Sequence, residues 1–160
     1  MIAPGQRLPA LTIKEATADG VRDVDVAALV AGTRAVIFTV PGAFTPACSR
    51  RHLPGFVANR ARFAAAGVGV VACLAVNDPD VLRAWGQAHG ALGRVVMLAD
   101  GNAELTRALG LDVDLGLLAM GVRARRATLT VDDGVVSRVV VEPSPGEVEL
   151  TSAEAWLASP

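Results

Sequence analysis

Residues 35 to 49 read AVIFTVPGAFTPACS, and this run predicts a buried strand that leads directly into a helix carrying a thiol. Its first part, Ala35 to Val40, is short, apolar and partly β-branched, as is typical of a buried strand. Thr45 is a favourable N-cap residue and Pro46 suits the first helical position, so the helix is expected to start there. Cys48 is then the third helical residue, among backbone N–H groups that no carbonyl within the helix satisfies.

This position of Cys48 predicts a reactive sulfur. The N-terminus of a helix carries a partial positive charge, which favours a thiolate over a thiol. A helix end contributes only roughly 0.3–1 kcal/mol, so a nearby guanidinium is needed for the thiolate to dominate at neutral pH. Arg123, Arg125 and Arg126 form a basic run directly before a predicted strand and are the candidates. The alternative is that Cys48 is a small buried hydrophobic residue.

Two other side chains are candidates for thiol chemistry. His52 lies four residues after Cys48 on the same helix face, and a Cys–His pair is the arrangement of a thiol hydrolase. No third group that would orient the ring is evident, so we expect a solvated or interface histidine. Cys73 lies in the apolar run from Val70 to Ala75, where burial raises the pKa of a thiol. We expect it to belong to the core.

Length and composition favour one domain over residues 1–160, large enough to bury a core. The chain has 15 Lys and Arg against 16 Asp and Glu, with no massed cations, so no nucleic-acid partner is expected. The uncharged stretch from Ala64 to Val76 is too short to span a bilayer, so no membrane association is expected. No signal-peptide pattern is visible and two cysteines make a poor disulfide framework, so the expected location is the cytoplasm.

Predicted strands and helices alternate along the chain, which indicates an α/β sandwich. The predicted elements are a hairpin of residues 11–16 and 21–24, a helical turn at 26–31, strands at 35–40, 68–76 and 95–99, helices at 46–66, 79–89 and 103–109, a hairpin of 127–131 and 135–141, and a last helix from 151. Pro54-Gly55 predicts a kink in the first long helix. Thr151 and Glu154 predict a capping box at the start of the last one.

The run PGAFTPACS, residues 41–49, resembles the active-site loop of the peroxiredoxins, specifically of the type II or peroxiredoxin-5 branch. Weaker likenesses follow in family order at residues 52–56, 70–78, 84–86, 98–100, 121–126 and 132–136. The first motif is highly specific, whereas each of the others would be weak alone. The resemblance therefore covers residues 41 to 136, and the two ends of the chain are compatible with it.

The resemblance implies a thioredoxin-like α/β fold, with a central mixed β-sheet flanked by helices on both faces, and a homodimer. It also implies reduction of hydrogen peroxide and alkyl hydroperoxides without a metal or flavin cofactor. Cys48 matches the peroxidatic cysteine, whose thiolate attacks one peroxide oxygen and becomes a sulfenic acid. Thr45 matches the residue whose hydroxyl binds the thiolate and the peroxide. Pro41 matches the proline that shields the site from water, and Arg126 the arginine that stabilises the thiolate and the leaving oxygen.

The chain departs from the family pattern in two places. Relatives usually carry an aromatic residue directly after the arginine, but here it is Ala127, which leaves Arg123 as the alternative to Arg126. Some relatives have a resolving cysteine near the C-terminus, but residues 147–156 contain none. Cys73 matches a cysteine that is generally not the obligatory resolving partner.

The resemblance therefore implies a one-Cys cycle, in which an external thiol reduces the sulfenic acid. Glutathione with glutaredoxin is the first choice of reductant and thioredoxin the second. Arg50 and Arg51 are candidates for attracting an anionic thiol, although simple solvation also accounts for them. Two other functions stay open on the residues alone: a Cys48/His52 thiol hydrolase or acyl-transfer enzyme, and a non-catalytic thioredoxin-fold module that dimerises or binds a partner.

Overall fold

The computed structural model describes all residues from 1 to 160. Its elements in chain order are β1 (Thr12–Thr17), β2 (Gly20–Asp25), α1 (Val26–Val30), β3 (Arg34–Val40), a π-helical turn (Cys48–His52), α2 (Leu53–Ala58), α3 (Arg60–Ala65), β4 (Val68–Ala75), α4 (Pro79–Ala88), β5 (Val96–Ala99), α5 (Glu104–Ala108), β6 (Asp112–Asp114), a 3₁₀ turn (Gly116–Leu118), β7 (Val122–Ala124), β8 (Ala127–Asp132), β9 (Val135–Val141) and α6 (Ala153–Ala158). None of the helices combines the length and the apolar character required to cross a membrane.

Seven strands form one mixed sheet in the order β2-β1-β5-β4-β3-β8-β9. The three central strands β3, β4 and β5 are parallel, whereas β1 and β8 join them antiparallel and bring their hairpin partners β2 and β9 to the edges. Side chains of β3 alternate between two hydrophobic clusters: Phe38 and Val40 belong to one, Ala35 and Ile37 to the other. Burial on both faces explains why residues 35–40 of this strand are apolar apart from Thr39.

Helices cover both faces of the sheet. One cluster contains Phe56, Phe63, Trp85 and Trp156 from α2, α3, α4 and α6, and the other contains Val30 and residues of α5. The predicted fold class, a central mixed sheet with helices on both faces, is confirmed. The predicted elements agree with the observed ones within a residue or two, apart from two helices and the short ribbon formed by β6 and β7.

The predicted long helix over residues 46–66 is divided differently from the expectation. It starts at Pro46, but the five residues Cys48–His52 form a wider π-helical turn, closed by the Leu53 N–H on the Cys48 carbonyl. The wider turn makes room for Pro54, whose ring would clash with the preceding turn of a regular α-helix. The break falls at Asn59, with φ −94° and ψ 9°, so the kink predicted at Pro54-Gly55 was misplaced.

The last helix begins at Ala153 rather than at Thr151. Ser152 is its N-cap, and its hydroxyl accepts the Ala155 N–H at 3.1 Å. The Thr151 hydroxyl instead donates to Glu142 Oε1 at 2.9 Å, and Glu154 accepts from Asn59, which lies between α2 and α3. The predicted capping box is therefore wrong, because both of its side chains are engaged by other parts of the fold.

Candidate active site

Cys48 has no exposed surface and lies where β3 passes into the first helical turn. Ser49 donates its N–H to the Thr45 carbonyl at 3.0 Å, so the helix starts at Pro46 as the sequence predicts. The Thr45 hydroxyl donates to the Gly42 carbonyl at 2.9 Å rather than to the Cys48 sulfur. Because its single proton is engaged there, the Thr45 oxygen is left as a hydrogen-bond acceptor.

Arg126 is the cation that contacts the thiol. It is 2% exposed, and its Nη2 donates to Cys48 Sγ at 3.2 Å. Its Nε and Nη2 donate to the Pro145 carbonyl at 3.2 and 2.7 Å, and its Nη1 lies 2.9 Å from His52 Nδ1. All three guanidinium nitrogens are therefore held by hydrogen-bond partners. A cation fixed in this way stabilises negative charge on the sulfur without further reorganisation.

Arg123, the alternative cation, lies elsewhere in the site. Its Nη1 donates to the Val76 carbonyl at 3.2 Å and its Nε to the Met120 carbonyl at 2.8 Å. A Cβ atom on Gly42 would approach Arg123 Nη1 to 3.0 Å, so this guanidinium packs against the loop before Cys48. Of the two arginines, the structure brings Arg126 to the sulfur and leaves Arg123 supporting the loop.

His52 is fully buried, contrary to the solvated or interface position expected from the sequence. Its Nε2 lies 3.0 Å from the Thr151 carbonyl, and its Nδ1 faces Arg126 Nη1. Since arginine only donates, Nδ1 is the acceptor and Nε2 carries the proton. Burial, reinforced by the positive charge of Arg126, lowers the pKa of His52 to about 3. Both ring nitrogens are occupied, so His52 is not placed to act as a base for Cys48 in a thiol hydrolase.

A cavity of about 350 Å³ lies beside Ala47, the residue before Cys48, and reaches Arg126. Its lining residues are Pro41, Thr45, Pro46, Ala47, Leu115, Leu118, Met120, Arg126, Pro145 and Gly146. Pro41 is buried and directly follows β3. The walls are mostly carbon, and Thr45 and Arg126 supply polar groups to the lining. The cavity thus accepts a small molecule with one polar end.

Cys73 lies in the core, as expected. It is on β4, opposite Phe38 of β3, and it shares a hydrophobic cluster with Cys48. Both cysteines are free thiols. Burial raises the pKa of Cys73 well above its usual value and the neighbouring Cys48 adds to this, although Arg126 acts in the opposite direction. Cys73 is therefore a protonated thiol at neutral pH.

The sequence did not predict the groups that position Arg126 and His52. These are the carbonyls of Pro145 and Thr151, which form hydrogen bonds with the two side chains. Backbone acceptors have no residue-type signature, and the Pro-Gly pair at 145–146 indicates only a turn. As for cofactors, no group of three or more His, Cys, Asp or Glu side chains is placed to hold a metal ion.

Comparison with known proteins agrees with this geometry. The redoxin family model matches residues 3–157. This chain belongs to the redoxin family. A relative from Oryza sativa subsp. japonica, the chloroplastic Peroxiredoxin-2E-2, is 48% identical over 98% of this chain and 71% of its own length. The chloroplastic Peroxiredoxin-2E of Arabidopsis thaliana is 40% identical over 98% of this chain and 68% of its own length.

A solved redoxin structure has the same fold. The crystal structure of reduced Prx3 from Vibrio vulnificus in complex with H₂O₂ superposes with a TM-score of 0.92 at 43% identity, and the match covers 99% of each chain. The predicted thioredoxin-like fold and membership of the type II peroxiredoxins are confirmed, and the redoxin described here is a thiol peroxidase.

The expected cytoplasmic location of this redoxin is contradicted by the comparison. Both plant relatives are named as chloroplastic proteins. The expectation rested on two unpaired cysteines, and free thiols persist in any reducing compartment, so they do not identify one.

Proposed function

We propose that this redoxin reduces hydrogen peroxide and alkyl hydroperoxides through a sulfenic acid at Cys48, in a one-Cys cycle. The observation that carries the proposal is the 3.2 Å hydrogen bond from Arg126 Nη2 to Cys48 Sγ in a buried site. A charged donor at this distance stabilises the thiolate, which is the nucleophilic form of cysteine. The backbone N–H groups of the first helical turn add a second favourable field.

Each candidate residue has a distinct part in the first half of the cycle. The Cys48 thiolate attacks one peroxide oxygen, so that an S–O bond forms as the O–O bond breaks. The departing oxygen takes the electron pair, is stabilised by Arg126, and leaves as water or an alcohol after it gains a proton. The Thr45 oxygen accepts a hydrogen bond from the peroxide, which orients it in line with the sulfur. Pro41 keeps bulk water away from the thiolate.

The cavity supports alkyl hydroperoxides as well as hydrogen peroxide. Leu115, Leu118 and Met120 give its outer part an apolar surface, and Arg126 lies at the inner end. An alkyl chain is therefore placed against carbon while the peroxide group meets the polar residues. Reduction of both substrates follows from the same attack, because only the leaving group differs.

Recycling by an external thiol is supported by the state of Cys73. A resolving cysteine attacks as a thiolate, and burial keeps Cys73 protonated and inside the sheet. Glutathione with glutaredoxin is the first choice of reductant, and thioredoxin the second. Arg51 is engaged by Glu149 at 2.8 Å and by the Val148 carbonyl, whereas Arg50 forms no ion pair. Arg50 is thus the cation available to attract an anionic thiol.

We also propose that residues 1–160 act as one domain and that the redoxin forms a homodimer. Phe44 is 56% exposed although it is large and apolar, and its backbone has φ +62°, which non-glycine residues rarely adopt. Leu117 and Leu118 are also exposed, and Leu118 lines the mouth of the cavity. Exposed apolar side chains, one of them at the mouth of the cavity, support a contact with a second copy.

A sulfenic-acid trap tests the proposed chemistry. Peroxide is added to the reduced protein with the trap present, and the labelled residue is identified by mass spectrometry in wild type and in Cys48→Ser. We expect label on Cys48 and no peroxidase activity in the variant; full activity of Cys48→Ser would overturn the proposal. The same oxidation without trap or added thiol tests the one-Cys cycle, which a Cys48–Cys73 disulfide as the main product would contradict.

A further inference from the structure

Glu142 is a buried carboxylate beside the arginine of the site. It is 6% exposed, and its backbone N–H donates to the Arg126 carbonyl at 2.9 Å, so the two residues face each other beyond the paired ends of β8 and β9. Its Oε1 accepts three hydrogen bonds: from the Glu149 N–H at 2.7 Å, the Thr151 N–H at 2.8 Å and the Thr151 hydroxyl at 2.9 Å. Its Oε2 is buried without a hydrogen-bond partner.

These bonds tie together the ends of residues 142–151, which we call the clamp segment. It contains no strand or helix, and two of its carbonyls face the site. The Pro145 carbonyl accepts from Arg126 Nε and Nη2, and the Thr151 carbonyl accepts from His52 Nε2 at 3.0 Å and from the Thr128 hydroxyl at 3.0 Å. The clamp segment therefore holds Arg126 directly and also through His52.

Few other polar interactions hold the clamp segment in place. Arg51 reaches the Val148 carbonyl and Glu149, but both charged side chains are more than half exposed. Exposed ion pairs contribute little to stability, and an irregular segment of this length loses considerable conformational entropy when it is fixed. The two hydrogen bonds from Thr151 to Glu142 Oε1 are buried and the third, from the Glu149 N–H, is partly buried, and an acceptor shared by several donors is effective in such a place.

We propose that Glu142 is a positioning residue for peroxide reduction, which fixes the clamp segment so that its Pro145 and Thr151 carbonyls hold the Arg126 guanidinium against the Cys48 sulfur. The inference rests on the proposed role of Arg126. Glu142 itself touches neither the sulfur nor the cavity, and it acts through Thr151, His52 and the Pro145 carbonyl. A misplacement of about 1 Å in such an arrangement costs on the order of 100-fold in rate.

The test compares Glu142→Ala, Glu142→Gln and the control Glu147→Ala, which removes an exposed glutamate of the same segment. The rate constant for oxidation of the reduced protein by hydrogen peroxide is measured in a single turnover, together with the pH dependence of Cys48 alkylation by iodoacetamide. We expect Glu142→Ala to slow oxidation by roughly 10- to 100-fold and to move alkylation to higher pH. Glu142→Gln restores most of the rate, because its amide oxygen can accept the same bonds.

The result that overturns the inference is a folded Glu142→Ala protein that is oxidised at the wild-type rate, or a Glu142→Gln protein as slow as Glu142→Ala. Near-ultraviolet circular dichroism reports whether each variant is folded. If Glu142→Ala does not fold, Thr151→Val carries the test, since it removes one donor to Glu142 and keeps the backbone bonds. We expect it to be oxidised severalfold more slowly, and a wild-type rate would sink the inference. Failure of the proposed function is seen separately, as absence of trapped sulfenic acid in the wild type.

Discussion

His52 Nδ1 accepts a hydrogen bond of 2.9 Å from Arg126 Nη1 in the interior of the protein. The two residues depend on each other. The arginine charge and the burial hold the pKa of His52 at about 3, so the imidazole stays neutral and keeps the lone pair that the arginine needs. A protonated ring in this place would have no acceptor to offer and would repel the guanidinium.

Replacing His52 by Phe should separate the role of its nitrogens from that of its packing. The phenyl ring keeps the aromatic contacts with Phe38 and Phe56 but leaves Arg126 Nη1 unpaired and removes one of the two hydrogen bonds to the Thr151 carbonyl. We expect a loss of about 1–3 kcal/mol in the free energy of unfolding, from urea titration, because a buried group is left unsatisfied. Oxidation by peroxide should slow by about tenfold, since Arg126 is less firmly held. His89→Ala, at the end of α4, is the control and should keep the wild-type rate.

The free energy of unfolding should fall in acid because of His52. Its pKa is about 3 in the folded protein and about 6.5 in the unfolded chain, so the unfolded state binds the proton first as the pH falls. The stabilising difference is complete above pH 6.5 and is lost progressively towards pH 3. Between about pH 6.5 and 4.5 the loss attributable to this residue is about 2 kcal/mol. Urea titrations of wild type and His52→Gln at both pH values measure this loss. If the free energy of unfolding changed equally with pH in the two proteins, His52 would not be its source.

Substitution of the two arginines by lysine should have unequal effects. Arg126→Lys keeps a charge but loses the fork that reaches Pro145, His52 and Cys48 together. We expect kcat/KM for peroxide to fall by roughly 100- to 1000-fold, as for the removal of a preorganised donor. Arg123→Lys changes a guanidinium that supports the loop and should cost far less. A steady-state peroxidase assay measures kcat/KM for both variants. An equal loss of kcat/KM in the two would contradict the assignment of Arg126 as the cation that stabilises the thiolate.

The Thr45 hydroxyl should be required for activity although it does not touch the sulfur. It donates to the Gly42 carbonyl at 2.9 Å, which leaves its oxygen as an acceptor beside the cavity. Thr45→Val removes that acceptor with little change of shape, and we expect kcat/KM to fall by about 100-fold. Thr45→Ser keeps the oxygen and should retain most of the activity. Similar kcat/KM values for Thr45→Val and Thr45→Ser would show that the side-chain oxygen of residue 45 has no part in the reaction.

The junction between β3 and the first helix was predictable because its determinants are adjacent in sequence. Thr45 is a favourable N-cap residue and Pro46 suits the first helical position, so together they favour a helix start. The apolar run before them predicts a buried strand. The partners of His52 were not predictable in this way. Its contact with Thr151 joins residues 99 positions apart, and no periodicity in either segment reports it.

The choice between Arg126 and Arg123 has a similar explanation. Arg123 belongs to β7, a strand of three residues that pairs only with β6 and is too short to leave a hydrophobic pattern. Arg126 directly precedes β8, and β8 lies beside β3 in the main sheet, which leads to Cys48. Resemblance to the family favoured Arg126, the arginine whose Nη2 contacts the sulfur, whereas composition and spacing left both open. Glu142 gave no signal at all, since a single glutamate after a strand is usually exposed.

The complete burial of Cys48 makes unequal demands on the two halves of the catalytic cycle. A peroxide is small enough to travel through the cavity of about 350 Å³ while the protein stays closed. A tripeptide or protein thiol is too large for this route, because its own sulfur has to reach the oxidised sulfur of Cys48 and approach it along the S–O axis. For the proposed one-Cys cycle we therefore expect the π-helical turn, closed by the bond from the Leu53 N–H to the Cys48 carbonyl, to unwind before reduction. Turnover at high reductant concentration is then limited by this opening, and the rate reaches a plateau that no stronger reductant raises.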